Sequence, residues 1–229
     1  MASLWTALRW LSLPVLAVIL QTLAFDFWHA VRAQGISLQS LAHPLAMAFA
    51  GGLLFRILLA AVLRKLGRDD PFEFIDTLEH ELTHALVGYL TFSPPVSLTA
   101  TLRSGGEVEL KGGNPLAILA PYYLPLWCLL ALAFGMIVKP DLHTIWTYLE
   151  FFLLGSFLFR LAREYGWRQT DLHAYGFPFS TVLILILLFL SLAVILHGRG
   201  LLPWRWLRVV PADAWHTALW GWDKIRALV

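Results

Sequence analysis

Long apolar runs separated by short polar segments are the dominant pattern of the sequence. Five runs have this character, at residues 4–31, 45–63, 115–138, 144–161 and 177–196. A helix of about 20 residues crosses the ~30 Å hydrocarbon core of a bilayer. Each run therefore predicts a membrane helix.

A sixth segment, at residues 72–92, is equally long but carries several ionisable side chains. They are Glu73, Asp76, Glu79, His80, Glu81 and His84. Because ionisable groups that face lipid are costly, we expect this helix at the centre of a bundle, beside a polar cavity. The complete pattern predicts an all-α polytopic membrane protein with about six transmembrane helices.

The first apolar run also resembles a signal peptide. Arg9 precedes its apolar centre, Arg32 follows it, and the sequence around Val31 and Ala33 is compatible with a cleavage site. We interpret this run as a membrane helix rather than as a removed leader.

Three residues of the sixth segment form the pattern His-Glu-x-x-His. His80 and His84 are four residues apart, so on a helix both rings share one face and can bind one Zn²⁺. Glu81 lies beside them, where a carboxylate can take a proton from a water at the metal. The pattern also occurs by chance, as a helix with solvated polar side chains. The apolar neighbours favour the metal site here, since unpaired polar groups among them would be costly.

A zinc site with two histidines needs a further protein ligand. Asp171, in the polar segment before the last apolar run, is the first candidate, and His173 is the alternative. Asp76, one turn before His80, is expected either to hold that ring in place or to interact with the dipole at the helix start. Arg56, the only charged residue of the second run, is expected either to snorkel or to pair with another helix.

Residues 96–110 alternate apolar and polar side chains on both sides of Gly105 and Gly106. This pattern predicts a β-hairpin directly after the motif helix. The hairpin is either a plain connection or a free edge to which an extended substrate segment adds as a strand. Gly105, Gly106, Val108 and Asn114 are the candidate substrate-binding residues. Asn114 could donate to an oxyanion, or it could be a helix N-cap.

Two further features concern the second half of the chain. The run at residues 115–138 contains Pro121 and Pro125, which are expected to kink or open its helix. Residues 198–229 are rich in tryptophan and basic residues, which predicts an interfacial helix at the lipid headgroups. No repeat or linker divides the sequence, and we predict a single membrane domain, residues 1–229.

Composition supports the membrane assignment and narrows the partners. Hydrophobic residues make up 59% of the chain and charged residues 14%, and the formal net charge is +2. That balance fits a lipid bilayer as partner and gives no basic surface for a nucleic acid. Cys128 is the single cysteine, which excludes a disulfide framework and a cysteine-based zinc site. The distribution of basic residues leaves the membrane orientation open.

The order of these features resembles the site-2 protease family of intramembrane zinc metalloproteases. The corresponding segments are His80-Glu-Leu-Thr-His, Pro95-Val-Ser-Leu-Thr, Gly105-Gly-Glu-Val, Leu119-Ala-Pro and Thr170-Asp-Leu. Together they cover roughly residues 74–196. Leu119-Ala-Pro stands where the family has Ala-Gly-Pro, and Thr170-Asp-Leu stands where it has Leu-Asp-Gly.

This resemblance implies that His80, His84 and Asp171 bind zinc and that Glu81 is the general base. It implies a core at residues 72–196, preceded by two transmembrane helices in residues 1–66. The implied substrate is another membrane protein, cleaved in or near a transmembrane segment that has unwound.

On these grounds we predict a zinc-dependent endopeptidase, integral and multi-pass in a bacterial inner membrane. The alternative is a non-catalytic, protease-like subunit or chaperone of a membrane complex. A purely structural site has no use for Glu81, which favours the enzyme, whereas a closed four-ligand site including His173 would favour the alternative. A transporter is a third interpretation, but no paired broken-helix repeats support it. The sequence specifies neither the substrate nor the oligomeric state.

Overall fold

The computed structural model describes residues 2–33, 44–67, 72–101, 105–202 and 213. The chain forms two units, Met1–Ser37 with Tyr175–Val229, and Leu38–Ala174. The tail helix predicted for residues 198–229 lies almost entirely outside the described residues. In chain order the elements are α1 (Ala2–Ala33), α2 (Pro44–Lys65), α3 (Glu73–Leu90), β1 (Pro95–Ala100), β2 (Gly106–Leu110), α4 (Pro115–Ile118), α5 (Ala120–Tyr123), α6 (Leu126–Gly135), α7 (His143–Glu164), α8 (Thr170–Ala174) and α9 (Phe177–Gly198).

Four of these helices are long and apolar enough to cross a bilayer, which supports a membrane protein. Their candidate spans are Arg9–His29, Pro44–Lys65, Pro140–Glu164 and Phe177–Gly198. Over the described ranges the fold is mostly helical with one small antiparallel hairpin, so the predicted class is confirmed at this level. The count of six spans is not confirmed. The motif helix forms as predicted but is too rich in ionisable residues to be a candidate span.

The remaining predicted span, at residues 115–138, is wrong as a single helix. It is divided into the short helices α4, α5 and α6, and α6 has 10 residues. Pro121 lies in the first turn of α5, and Pro125 is the N-cap residue of α6. A helix start is where the missing proline N–H costs least, so the prolines begin new helices instead of kinking one.

In the first unit, α1 and α9 pack against each other along apolar faces. Leu23 of α1 is buried with Ile186 and Ala193 of α9, and Leu202 joins this cluster. The ring of Phe27 in α1 meets the ring of Phe189 in α9 edge to face, with centroids 5.5 Å apart.

In the second unit, α2 and α7 contact each other through glycines. A Cβ at Gly52 would lie 2.0 Å from the carbonyl oxygen of Phe152, and one at Gly155 would lie 2.1 Å from that of Phe49. Real Cβ atoms do not approach that closely, so only glycine fits at either position. Small residues at such crossings let membrane helices pack backbone to backbone.

A buried ion pair ties α3 to this helix pair. Arg56 of α2 is 2% exposed, and its Nη1 donates to Oδ1 of Asp76 at 3.0 Å and to the Ser156 hydroxyl at 3.3 Å. Of the two alternatives given for Arg56, snorkelling or pairing with another helix, the structure shows the pairing. Two alternatives were given for Asp76. It lies in the first turn of α3, as the interaction with the helix dipole required. The other alternative, that it holds the His80 ring, is wrong because its carboxylate binds Arg56.

The predicted hairpin is confirmed. Strands β1 and β2 pair antiparallel, with Leu98 opposite Val108 and Ala100 opposite Gly106. Both strands contact α3. The hairpin therefore packs on the helix that carries the His-Glu-x-x-His pattern, and it forms a wall beside those residues.

Candidate metal centre

Helix α3 presents both motif histidines on one face, as their spacing predicted. The ring centroids of His80 and His84 are 4.9 Å apart, at an interplanar angle of 71°. His84 is buried and His80 is half-buried. Because α3 is continuous from Glu73 to Leu90, the four-residue spacing brings the rings together one helical turn apart.

Asp171 of α8 completes a group of three possible ligands. Its Oδ2 is 3.5 Å from Nε2 of His80 and 3.6 Å from Nε2 of His84. One ligand atom from each of the three residues lies within 4.8 Å of the other two. Although their positions in the sequence are far apart, the fold brings all three predicted ligands together.

His173, the alternative third ligand, lies elsewhere. Its side chain is exposed, and its Nε2 donates to the carbonyl oxygen of Trp167 at 2.7 Å. Its ring also faces the Trp167 ring, with centroids 5.7 Å apart. The geometry therefore favours Asp171 over His173 as the third member of the cluster.

The Nδ1 atom of each motif histidine is held by a second group. His84 donates from Nδ1 to the carbonyl oxygen of Ala117 at 2.9 Å, and Nδ1 of His80 lies 3.3 Å from Oε2 of Glu164. These contacts fix the ring orientation and leave both Nε2 atoms directed at Asp171. Sequence reasoning missed Glu164. The sequence feature that could have indicated Glu164 is its position at the end of an apolar helix, four residues after Arg160. Residues at this spacing commonly form ion pairs.

The Asp171 carboxylate is held by a hydroxyl and carries a charge. Tyr122 donates from its hydroxyl to Oδ2 of Asp171 at 3.2 Å. Burial acts to raise the pKa of the Asp171 carboxyl, but hydrogen bonds and charge interactions with His80 and His84 outweigh it and hold this pKa well below its usual range. The ionised carboxylate is the form that binds a cation.

Asn114 has the N-cap role that was the alternative to an oxyanion donor. Its Oδ1 accepts from the backbone N–H of Ala117 at 2.9 Å, at the start of α4. Its Nδ2 donates to the hydroxyls of Thr91 and Ser93, at 2.8 and 3.0 Å. Since the carbonyl of Ala117 accepts from His84, the cap supports the position of a candidate ligand.

Glu81 lies against the hairpin. Its side chain is 7% exposed, and a Cβ at Gly106 would lie 2.5 Å from Glu81 Cγ and 2.8 Å from its Oε1. The same Cβ would lie 2.8 Å from the Thr77 methyl group. Strand β2 thus approaches α3 so closely that a side chain at its first position would have to displace Glu81 or Thr77.

A cavity of about 600 Å³ opens beside the cluster. One wall is lined by the predicted substrate-binding residues Gly105, Gly106 and Val108, and another by His80, His84 and Glu81. The remaining lining residues are Thr77, Glu107, Leu110, Gly113, Ile118, Glu164, Gln169, Thr170 and Asp171. A carboxylate, a possible metal cluster and a strand therefore share one space large enough for a peptide segment.

In comparisons with known proteins, no family model, no curated protein and no solved structure matches this chain. The assignment of a function therefore depends on the geometry of the cluster and its cavity.

Proposed function

We propose that this protein is a zinc-dependent intramembrane endopeptidase that hydrolyses a peptide bond in or near a transmembrane segment of another membrane protein. The observation that carries the proposal is the position of Glu81: a carboxylate next to a His80–His84–Asp171 cluster, on the wall of a shared cavity. The proposed resemblance to the site-2 protease family agrees with this arrangement.

The donor set fits zinc. Two ligand atoms, each about 2.1 Å from a tetrahedral Zn²⁺, lie about 3.4 Å apart. The separations of 3.5 and 3.6 Å between the Asp171 oxygen and the histidine nitrogens are close to that value. Three protein ligands leave one position open, which is typical of catalytic and not of structural zinc sites. When bound, the ion would polarise the scissile carbonyl and lower the pKa of water.

The protein residues supply binding and proton transfer. His80, His84 and Asp171 hold the ion, and Glu81 accepts a proton from the attacking water and later delivers it to the leaving amine. The substrate chain enters the cavity in extended form beside Gly105, Gly106 and Val108 of the hairpin. A helical substrate segment must unwind first, because backbone carbonyls inside a helix are already hydrogen bonded and are not free to pair with the strand.

The four apolar helices support a membrane location. We propose that the protein is multi-pass and resides in a bacterial inner membrane, with the lipid bilayer and its membrane-protein substrates as partners. A closed four-ligand site including His173 would have favoured the non-catalytic alternative, but the His173 ring binds the Trp167 carbonyl instead.

The proposal is tested with Glu81→Gln in purified, zinc-loaded protein. The matched control is Glu109→Gln, which makes the same chemical change at an exposed position of β2. Zinc content is measured in both variants, and cleavage is measured on membrane proteins co-expressed with each of them. We expect Glu81→Gln to retain zinc and to lose cleavage, while Glu109→Gln retains both. Wild-type protein that binds no zinc, or equal cleavage by Glu81→Gln and wild type, would overturn the proposal.

A further inference from the structure

A second buried arginine, Arg160 of α7, lies behind the cluster. It is 1% exposed, and its three guanidinium nitrogens contact three different groups. Nη1 donates to Oε2 of Glu164 at 3.0 Å, Nη2 donates to the carbonyl oxygen of Pro121 at 3.2 Å, and Nε lies 3.3 Å from Oε2 of Glu79. These partners belong to α7, α5 and α3, so one side chain joins three helices.

The first contact leads to His80. Oε2 of Glu164 is the same atom that lies 3.3 Å from Nδ1 of His80. The guanidinium therefore fixes the carboxylate oxygen that in turn orients the ring. Without Arg160 this carboxylate could rotate away, and His80 would lose the group that directs its Nε2 toward the metal position.

The second contact leads to Asp171. Pro121 directly precedes Tyr122 in α5, a helix of four residues, and Tyr122 donates to Oδ2 of Asp171 at 3.2 Å. So short a helix has almost no internal hydrogen bonds to fix it. The bond from Arg160 to the Pro121 carbonyl therefore helps to determine where the Tyr122 hydroxyl lies.

The third contact compensates the buried charge. Glu79 is 3% exposed, and its Oε1 also accepts from the backbone N–H of Trp127 at 3.2 Å. The contact with Glu79 is an ion pair, and Nε of Arg160 is buried without a hydrogen bond. A buried guanidinium with an unsatisfied donor is costly, and an apolar side chain of similar volume often serves stability as well. The arginine is thus better explained by a requirement for fixed geometry than by stability.

We propose that Arg160 is a positioning residue that orients two of the three metal ligands at once, His80 through Glu164 and Asp171 through Tyr122. The inference rests on the proposed function in one respect, the binding of zinc by the cluster. Arg160 itself is not among the residues that line the cavity, although its partner Glu164 is. Its proposed effect on zinc passes through its contacts with Glu164 and with the Pro121 carbonyl.

The test compares Arg160→Met with Arg56→Met in the purified full-length protein. Both variants replace a buried arginine that pairs with a carboxylate on α3, but only Arg160 contacts groups that hold the ligands. Zinc affinity is measured by competition with a chelating dye. Removal of groups that orient metal ligands weakens affinity by about 10- to 100-fold. We expect that loss in Arg160→Met, a smaller loss in Arg160→Lys, and wild-type affinity in Arg56→Met.

A second readout reports geometry directly. The visible absorption of Co²⁺ bound in place of zinc depends on the number and arrangement of its ligands. We expect this spectrum to change in Arg160→Met and to match that of the wild type in Arg56→Met. A general loss of stability would instead affect both variants. Equal effects of the two substitutions on affinity and spectrum would overturn the inference.

Because Arg160→Met could unfold the protein, a double variant alters the two groups that contact the ligands, Glu164 and Tyr122, while keeping the arginine. Glu164→Gln with Tyr122→Phe removes one charge and one hydroxyl, and we expect the same 10- to 100-fold loss of affinity, about what such groups supply. Wild-type affinity in this double variant would overturn the inference while leaving the peptidase proposal intact. Wild-type protein without any affinity for zinc would instead remove the proposed function and the inference together.

Discussion

At the scale of single residues, the contact between Gly106 and Glu81 has the most direct chemical consequence. A Cβ at Gly106 would lie 2.5 Å from Glu81 Cγ. The absence of a side chain at that position lets β2 approach the proposed base and confine it. Gly106 was predicted only as a substrate-binding residue, and the structure gives it a further role in positioning Glu81.

The substitution Gly106→Ala is expected to displace Glu81 and to reduce cleavage by about 100-fold, the cost of a misplacement near 1 Å. Zinc content should not change, because the ligands are untouched. Gly166→Ala is the control, since a Cβ there meets nothing within 4 Å. Steady-state cleavage and zinc analysis of both variants check the prediction. Unchanged cleavage by Gly106→Ala would show that Glu81 needs no such confinement.

A second prediction concerns the third ligand. Asp171→Ala should weaken zinc binding by more than about 100-fold, since even groups that merely orient a ligand cost up to that amount. His173→Ala should bind zinc as the wild type does, because its ring binds Trp167 away from the cluster. Dye-competition titrations of the two variants are the measurement. The reverse result would assign the ligand to His173.

The sequence predicted the site residues unevenly, for a physical reason. His80, Glu81 and His84 lie within one helical turn, so local spacing is sufficient to bring them together. Asp171 required a choice between nearby polar residues that the sequence left open. Glu164 and Arg160 could not be identified, because their contacts join α7 to α3, and periodicity within one helix contains no information about that pairing. The alternative in which Asp76 holds His80 fails for the same reason, because its contact with Arg56 joins α3 to α2.

At the scale of elements, the close contact between α2 and α7 supports the position of the site, because α7 carries Glu164. Gly52→Ala places a Cβ 2.0 Å from a carbonyl oxygen of α7 and should destabilise the protein by about 1–3 kcal/mol, the usual cost of overpacking. Gly51→Ala is the adjacent control, because a Cβ there meets nothing within 4 Å. We expect a slight gain in stability from its better helix propensity.

Thermal unfolding of both variants in detergent measures this difference. A lower midpoint for Gly52→Ala than for Gly51→Ala agrees with direct backbone contact at the crossing. Equal midpoints would mean that α2 and α7 do not approach each other so closely.

Helices and the hairpin could largely be predicted because each has a local periodicity of its own. Residues 115–138 are the exception. Their apolar composition predicted one membrane helix, and the two prolines were expected to kink or open it. The structure instead uses Pro121 and Pro125 to begin α5 and α6, and the short helices so produced are held by tertiary contacts such as that of Arg160 with Pro121. Composition alone does not distinguish these outcomes.

At the scale of the whole molecule, the four candidate spans predict firm attachment to a membrane. Hydrophobic spans of this length are not released by salt or high pH, because their apolar surface remains in lipid. We therefore expect the protein in the membrane fraction after alkaline carbonate extraction, and in solution only after detergent is added. Release by carbonate alone would contradict the membrane assignment.

The central claim is that His80, His84 and Asp171 hold a zinc ion beside Glu81. X-ray absorption at the zinc edge of the purified, zinc-loaded protein tests it most directly. We predict about one bound ion per chain, with imidazole scattering and nitrogen or oxygen neighbours at about 2.0–2.2 Å. We predict the loss of this signal in His80→Ala. A sulfur neighbour, no imidazole scattering, or an unchanged spectrum in His80→Ala would contradict the account.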